Sequence, residues 1–191
     1  RGAAPINWAV INGETQTGVT IMRMNARMDA GDMVAQQATA IPDEEDAQGL
    51  RLRLARIGAQ LLCQTLDVPI EQWHFQKQDE REVSRAPKLT KAMGQIDWTK
   101  PAQQIHNLAR GLQPWPSAYT FFNGNLLKIL ATELVPSGAR PMPAGTVSHI
   151  GKGGFVVVTG EGGLLVKTVH PASSHPMSAA SFSTGHNLKQ G

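Results

Sequence analysis

A regular succession of short apolar segments and tight turns after residue 98 constrains the fold of this chain more than any other feature. The segments have the length of single β-strands, and Gly-rich turns separate several of them. The dipeptide Asn123-Gly124 is the strongest short signal for a β-hairpin. The five predicted strands are 118–122, 125–135, 145–150, 155–159 and 164–169. One helix precedes them, with Ile105, Leu108 and Leu112 on one face, so this part of the chain predicts a small closed barrel of the OB-fold type.

The first part of the chain has a different pattern, which predicts a piece of an α/β sheet. Two apolar strands are expected at 18–24 and 33–41, with a loop between them. A helix to about Leu66 follows, and the acidic run 43–46 before it suits the positive end of the helix dipole. The apolar residues that recur at helical spacing are Leu50, Leu54, Ile57 and Leu61. The basic residues of this helix that we expect to be mostly solvated are Arg51, Arg53 and Arg56.

A polar segment, 77–97, separates the two patterns and is typical of a linker. We therefore predict a first domain over 1–82, a linker over 83–97 and a second domain over 98–191. The net charge of +3 is unevenly distributed, because 98–191 contains seven Lys or Arg and only two acidic residues. Such an excess indicates a surface that meets a polyanion, although an ordinary solubility charge explains it as well.

Composition excludes several classes of protein. The apolar fraction of 41% and the charged fraction of 17% are those of a globular chain. No apolar stretch approaches the ~18 residues that a membrane-spanning helix needs. The lone Cys63 fits a reducing compartment such as the cytoplasm, and its leucine neighbours predict a small buried side chain. Residue 1 is Arg and no leader pattern follows, so we expect a chain that is processed or truncated at its start.

Two carboxylates, Asp29 and Asp32, lie beside Gly31 in the loop 25–32 between the first two predicted strands. Loops at strand ends are where α/β sheets carry ligands and catalytic groups. The two carboxylates can perform acid–base chemistry or hold a cationic group. The alternative is a turn in which one of them caps local backbone N–H groups.

Basic and aromatic side chains occur together around the predicted linker, where 88–91 precedes Trp98 and Trp115. This combination can bind nucleic acid, although both tryptophans are also expected as core or packing residues. His170 and His175 lack a Cys or a nearby carboxylate, so no metal site is predicted. The basic residues of the second domain that are candidates for RNA contacts are Arg110, Lys128, Lys152 and Lys167.

A series of short motifs, in one order along the chain, resembles the methionyl-tRNA formyltransferase family. Each motif is weak alone, and the set is specific. The motifs of the first part are RGAAPI from Arg1, NG from Asn12, TGVTIM from Thr17 and MDAGDM from Met28. The later motifs are APKLTK from Ala86, IDW from Ile96, IHN from Ile105, RGL from Arg110, PWP from Pro114 and PMSA from Pro176.

The resemblance implies the C-terminal part of a Rossmann-like formyltransferase domain followed by an OB-like β-barrel that binds tRNA. It implies transfer of a formyl group from 10-formyltetrahydrofolate to the amino group of methionyl initiator tRNA, by a monomer without a metal or membrane. Asp29 matches the family's catalytic Asp, and Met28 and Gly31 beside it are implied folate contacts. The family's Asn-x-His pair and Ser-Leu-Leu-Pro stretch precede the Arg-Gly-Ala-Ala-Pro motif at which this chain begins. We therefore expect this chain to be an inactive fragment of the enzyme.

Two alternatives remain at this stage. One is another folate-dependent formyltransferase, such as one that acts on an amino sugar nucleotide. The other is a non-catalytic RNA-binding remnant, which predicts salt-dependent tRNA binding without formyl transfer.

Overall fold

The computed structural model describes residues 1–136 and 142–191, which fall into two compact units. Unit 1 comprises Arg1–Val10 and Glu14–Leu89, and unit 2 comprises Ile11–Gly13 and Thr90–Gly191. The segment 83–97 contributes to both. In unit 1 the Ala86 amide donates to the Arg1 carbonyl (2.9 Å), and in unit 2 the Ile96 amide donates to the Tyr119 carbonyl (2.8 Å). Both halves of this segment are therefore held by backbone hydrogen bonds.

Unit 1 contains a two-stranded antiparallel sheet and two helices. Its elements are α1 (Pro5–Ile11, of which only the last residue is assigned to unit 2), β1 (Gln16–Arg23), β2 (Asp32–Ala40) and α2 (Ala47–Leu66). Both predicted strands and the predicted helix are present, with ends that differ by at most three residues. The strands pair from Gln16 opposite Ala40 to Arg23 opposite Asp32, with a bulge at 21–22. The loop between β1 and β2 is therefore closed at its base by the last pair of the ladder.

The position of α2 is fixed by a cap and an apolar face. The Asp46 carboxylate accepts a hydrogen bond from the Gly49 amide (2.8 Å) and so caps the N-terminus of the helix. Leu50 and Leu54 are buried and pack with Val10 in the core of this unit. Cys63, in contrast, is exposed, so the expectation of a buried thiol is wrong. Each helical residue advances about 100°, which places Cys63 on the side of α2 opposite the buried Leu61.

Arg53 is a second correction on α2, because its guanidinium is engaged rather than solvated. It forms an ion pair with Glu45 (Nη2 to Oε2, 2.5 Å) and also donates to the Thr39 hydroxyl and the Ala40 carbonyl (2.6 Å). The hydrogen bond to Glu45 raises the pKa of Arg53. This cation thus joins α2 to the end of β2.

Arg53→Met is expected to lower the free energy of unfolding by about 1–2 kcal/mol, because it removes charge-assisted hydrogen bonds from a partly exposed ion pair. Arg51→Met is the matched control, since Arg51 is exposed on the same helix, and we expect a change within ~0.5 kcal/mol. Urea unfolding of the two variants measures the difference. Equal effects would show that the Arg53 contacts contribute nothing to stability.

Unit 2 is an antiparallel sheet with one helix before it and one after. Its elements are α3 (Ala102–Gly111), β3 (Ala118–Phe122), β4 (Asn125–Val135), β5 (Val147–Gly151), β6 (Gly154–Val158), β7 (Gly163–Pro171), β8 (Met177–Ser178) and α4 (Ala179–Gly185). All five predicted strands are present. The strand order is β3-β4-β7-β6-β5, and β8 pairs with β7.

The closed OB-like barrel expected from the sequence is not confirmed. Within 1–136 and 142–191, no pairing joins β3 to β5, which are the two ends of the strand order. Each end is instead met by a segment without regular strand structure. Gln95 bridges to Tyr119 on β3, and the Gly191 amide donates to the Val147 carbonyl on β5 (3.3 Å). The sheet is therefore open in its hydrogen bonding, and each end strand has one residue in backbone contact with such a segment.

The core of unit 2 lies on one face of this sheet. Leu127 and Ile129 of β4 pack there with Val166 and Val169 of β7, and the helices add Ile105 and Phe182. Phe182 belongs to α4, a helix that the sequence pattern did not predict because its other residues are small. The opposite face of β3, β4 and β7 is consequently directed away from the core. No helix within the described residues is long and apolar enough to cross a membrane.

Candidate functional site

The loop between β1 and β2 has its shape fixed by Asn25. The Asn25 side chain accepts a hydrogen bond from the Arg27 amide (2.9 Å) and donates to the Ala30 carbonyl (2.9 Å). An Asn that bonds to the backbone on both sides in this way mimics a turn. The capping role that the sequence left open for the carboxylates in this loop is thus performed by Asn25.

The two carboxylates predicted for this loop have different environments, because Asp29 lies in the loop and Asp32 is the first residue of β2. Asp32 forms an ion pair with Arg23 (2.9 Å), whose guanidinium also lies 4.2 Å from the centre of the Phe75 ring. Asp29 is half-buried, has a φ of 51° and makes no side-chain hydrogen bond or ion pair within the described residues. Asp tolerates this left-handed conformation better than most residues. Asp29 is therefore the carboxylate that is available for chemistry with a bound molecule.

Gln78 holds the backbone on both sides of Asp29. Its amide nitrogen donates to the Asp29 carbonyl (3.0 Å) and to the Gly31 carbonyl (2.8 Å). Its amide oxygen accepts from Arg1 (3.0 Å), which fixes the orientation of the amide group. Sequence reasoning missed Gln78, because it lies in the polar segment interpreted as a linker and no local pattern marks it.

Two cations, Arg1 and Arg27, lie near the loop between β1 and β2, and the Glu80 carboxylate pairs with both of them. The Glu80 carboxylate contacts Arg1 at 3.0 Å and Arg27 at 3.4 Å. The hydrogen bond from Arg1 holds the pKa of Glu80 below its usual range, so this carboxylate is ionised at neutral pH. Arg1, which fixes the orientation of the Gln78 amide, is therefore itself held by an ion pair with Glu80.

A cavity of about 260 Å³ opens beside Asp29. Met28 is 81% exposed at this cavity, and Gly31 is packed so closely that a Cβ atom there would lie 2.0 Å from the Arg23 carbonyl oxygen. The structure thus brings together Met28, Asp29 and Gly31. The cavity is lined by Met22, Met24, Asn25, Ala26, Arg27, Met28, Asp29 and Gly31.

The four basic candidates of unit 2 lie on different elements. Lys128 is half-buried on β4, Lys152 is exposed in the turn after β5, and Lys167 on β7 forms an ion pair with Glu133 (3.1 Å). Arg110 is only 6% exposed, and its guanidinium donates twice to the Asn107 side chain (2.9 and 3.1 Å). This burial argues against Arg110 as a phosphate contact and gives it a structural role on α3.

The tryptophan and histidine candidates also differ in their burial and in their contacts. Trp98 packs against the core and donates to the Thr120 hydroxyl (3.1 Å), whereas Trp115 is 50% exposed and is not a core residue. His170 hydrogen-bonds to the Ser174 carbonyl through Nε2 (2.9 Å). The described parts of the chain contain no group of three or more His, Cys, Asp or Glu placed to hold a metal ion.

Solved structures with the same fold include a protein in complex with tetrahydrofolic acid and a sugar formyl transferase. HypX from Aquifex aeolicus, in complex with tetrahydrofolic acid, matches 99% of this chain and 33% of its own with a TM-score of 0.73 at 19% identity. WlaRD, a sugar 3N-formyl transferase, matches 91% of this chain and 61% of its own with a TM-score of 0.69 at 18% identity. At these identities the likeness shows the fold alone.

Sequence comparisons are more specific. The family model described as formyl transferase matches residues 1–66, and the model of the formyl transferase C-terminal domain matches residues 88–187. The methionyl-tRNA formyltransferase of Caldanaerobacter subterraneus subsp. tengcongensis is 42% identical over 192 residues, and that of Geobacter metallireducens is 41% identical over 192 residues. These alignments cover 100% of this chain and 62% and 61% of the relatives, so the chain spans about 60% of their length. The chain therefore belongs to the formyl transferase family, and the curated relatives that it resembles are methionyl-tRNA formyltransferases.

Proposed function

We propose that the protein to which this chain belongs transfers a formyl group from 10-formyltetrahydrofolate to the amino group of methionyl initiator tRNA. The observation that carries this proposal is the sequence identity of about 40% with methionyl-tRNA formyltransferases along the whole of the chain. The reaction forms the N–C bond between the methionyl nitrogen and the formyl carbon and breaks the bond between that carbon and N10 of the folate. The amine loses one proton, and N10 of tetrahydrofolate gains one.

Asp29 is the residue of this chain that we assign to the chemistry. The methionyl amine attacks as its neutral form, and the formyl carbon becomes tetrahedral as its oxygen gains negative charge. A positioned carboxylate then assists removal of the proton from the attacking nitrogen. The half-buried Asp29 carboxylate, which borders the cavity and has no side-chain partner within the described residues, is suited to hold that proton or a water molecule that carries it.

Met28 and Gly31 are the residues that we assign to the folate donor. Both border the cavity beside Asp29, where the thioether of Met28 offers an apolar contact to a flat ring. The missing side chain of Gly31 lets the loop close against the Arg23 carbonyl. A bound donor at this cavity would lie next to the Asp29 carboxylate.

We assign tRNA binding to the second domain, 98–191, joined by the segment 83–97 to the partial catalytic domain 1–82. The excess of basic residues in 98–191 supports this assignment. The exposed or half-buried cations Lys128, Lys152 and Lys167 remain the candidate phosphate contacts. We place the reaction in the cytoplasm and expect a monomer.

The test of this proposal adds the segment that precedes the Arg-Gly-Ala-Ala-Pro motif in members of the family. We would fuse the corresponding segment of the Caldanaerobacter relative in frame ahead of Arg1 and assay formylation of methionyl initiator tRNA. The expected result is folate-dependent formyl transfer by the fusion protein. Activity on an amino sugar nucleotide instead would contradict the assigned acceptor.

The 191-residue chain alone tests the RNA-binding alternative. We expect it to bind initiator tRNA with an affinity that falls steeply between ~50 and ~200 mM salt, because released counterions drive binding to phosphates. If the chain binds tRNA and the fusion protein still has no transferase activity, the non-catalytic remnant becomes the better description. Fluorescence anisotropy at several salt concentrations measures this binding.

A further inference from the structure

One row of side chains crosses three strands of unit 2 on the same face. In an antiparallel sheet, residues directly opposite each other direct their side chains to the same side. Tyr119 on β3 is opposite Lys128 on β4, and Lys128 is opposite His170 on β7. The row thus places a phenol, an ammonium and an imidazole side by side.

A second row, two residues along the strands, extends this surface. Phe121 is opposite Leu126, and its ring meets the Tyr119 ring edge to face with centres 5.8 Å apart. Phe121 is 55% exposed and lies on β3, an end strand of the sheet, close to the hairpin turn. We call the surface formed by Tyr119, Phe121, Leu126, Lys128 and His170 the aromatic face.

The aromatic face is the side of the sheet directed away from the core. The alternate residues of the same strands, Ala118, Leu127, Ile129 and Val169, are at most 4% exposed and belong to the core. The exposure of Phe121 is therefore not a consequence of a poorly filled core. On this side of the sheet an exposed phenylalanine ring therefore lies next to a tyrosine and a lysine.

The charge of the aromatic face favours an anionic partner. None of its residues is acidic, and the Lys128 ammonium has no carboxylate partner within the described residues, in contrast to Lys167, which pairs with Glu133. The surrounding domain, 98–191, has seven Lys or Arg and two acidic residues. Aromatic rings that alternate with cations bind nucleic acid by stacking on bases while the cations contact phosphates.

We propose that the aromatic face is a docking surface for unpaired nucleotides of the tRNA substrate, and this rests on the proposed function. A base stacks on the Phe121 ring, and the neighbouring phosphate lies over Lys128. Paired bases are already stacked within their helix and present no free ring face, so the surface selects single-stranded nucleotides. The phenylalanine contributes ring area, and the lysine contributes salt-dependent affinity.

Phe121→Leu separates stacking from general hydrophobic contact, because leucine is apolar but has no ring. We expect it to weaken binding of the 191-residue chain to initiator tRNA and to a short unstructured oligoadenylate by about tenfold, which is within the effect of losing one stacked base. Phe121→Trp is expected to retain the affinity, since the ring is kept. Leu134→Ala is the matched control, because Leu134 is an exposed apolar residue on β4 outside the aromatic face, and its affinity should not change.

Lys128→Met tests the phosphate contact. We expect a weaker affinity for RNA. We also expect the slope of log K against log salt concentration to decrease by about 1, which corresponds to the loss of one phosphate contact. Anisotropy with fluorescein-labelled RNA measures both effects, and thermal unfolding of each variant shows that the sheet is intact. Oligoadenylate that carries a photoreactive thio-base should crosslink to the peptide containing Tyr119 and Phe121.

Unchanged affinity in both Phe121→Leu and Lys128→Met, with wild-type binding to tRNA intact, would overturn the aromatic face and leave the proposed function standing. A preference for a fully paired duplex over oligoadenylate, or self-association of the chain that Phe121→Leu abolishes, would also overturn it. Binding of wild-type chain to oligoadenylate but not to initiator tRNA would instead contradict the proposed function.

Discussion

Asp29→Asn in the fusion protein is expected to lower kcat for formyl transfer by about 10²–10⁴-fold, the range that a positioned acid–base group contributes. Asparagine has the same shape and also tolerates a positive φ, so the loop retains its conformation. The Asp29 side chain makes no bond to the protein within the described residues, so its replacement breaks no structural contact. The affinity for tRNA should stay the same, because the change removes only the proton acceptor. Steady-state kinetics with methionyl initiator tRNA measures both quantities.

Asp32→Asn provides the comparison for this result. It changes the carboxylate at the start of β2, three residues after Asp29, and breaks an ion pair with Arg23, which is a partly exposed contact worth at most about 1 kcal/mol. We expect kcat to change no more than a few-fold. Equal losses in kcat and in tRNA affinity for Asp29→Asn would contradict its role in the chemistry, because an acid–base group acts in the transition state.

The parts of the fold that the sequence predicted are those that local interactions determine. The β3–β4 hairpin was predicted from Asn123-Gly124, and these residues have φ values of 48° and 76°, which the tight turn requires. Helix α2 was predicted from the spacing of its leucines, and Leu50 and Leu54 are buried as that spacing implies. In both cases the signal and the structure that it specifies lie within a few residues of each other.

The features that could not be predicted depend on contacts between distant residues. Closure of the sheet in unit 2 depends on what pairs with the edge of β3, and that partner is Gln95 rather than a strand. Arg110 was a candidate RNA contact because of its charge, but its burial depends on the Asn107 side chain and on the packing of α3. The residue type gives the charge of a side chain and does not give its exposure.

The residues of the candidate site also divide into those that a local motif predicts and those that depend on contacts between distant residues. Asp29 was found from a motif within one loop, whereas Gln78 acts on that loop from 47 to 49 residues away along the chain. A polar residue in a polar segment carries no local pattern that indicates such a contact. Only the fold reveals that the polar segment 77–97 contributes the Gln78 side chain to the candidate site.

Gln78→Met is therefore the second variant with a large expected effect, and Gln78 is a positioning residue rather than a catalytic one. Methionine retains the length of the side chain but removes the donor that holds the carbonyls of Asp29 and Gly31. We expect kcat of the fusion protein to fall about 100-fold with unchanged tRNA affinity, since displacement of a reacting group by ~1 Å costs this much. Gln36→Met is the matched control, because the Gln36 amide donates to Thr20 on the same pair of strands, and its kcat should not change.

Gln78→Glu distinguishes positioning of the loop from simple loss of the Arg1 contact. A carboxylate still accepts from Arg1, but it cannot donate to either carbonyl, so we expect the same loss of kcat as for methionine. Hydrogen exchange in the 191-residue chain provides a readout without catalysis, and the amides of the loop 25–31 should exchange faster in both variants. Recovery of kcat in Gln78→Glu would show that Arg1 alone orders the loop. Loss in both variants would instead mean that the hydrogen bonds donated by the Gln78 amide hold Asp29 in place, because both variants lack that donor.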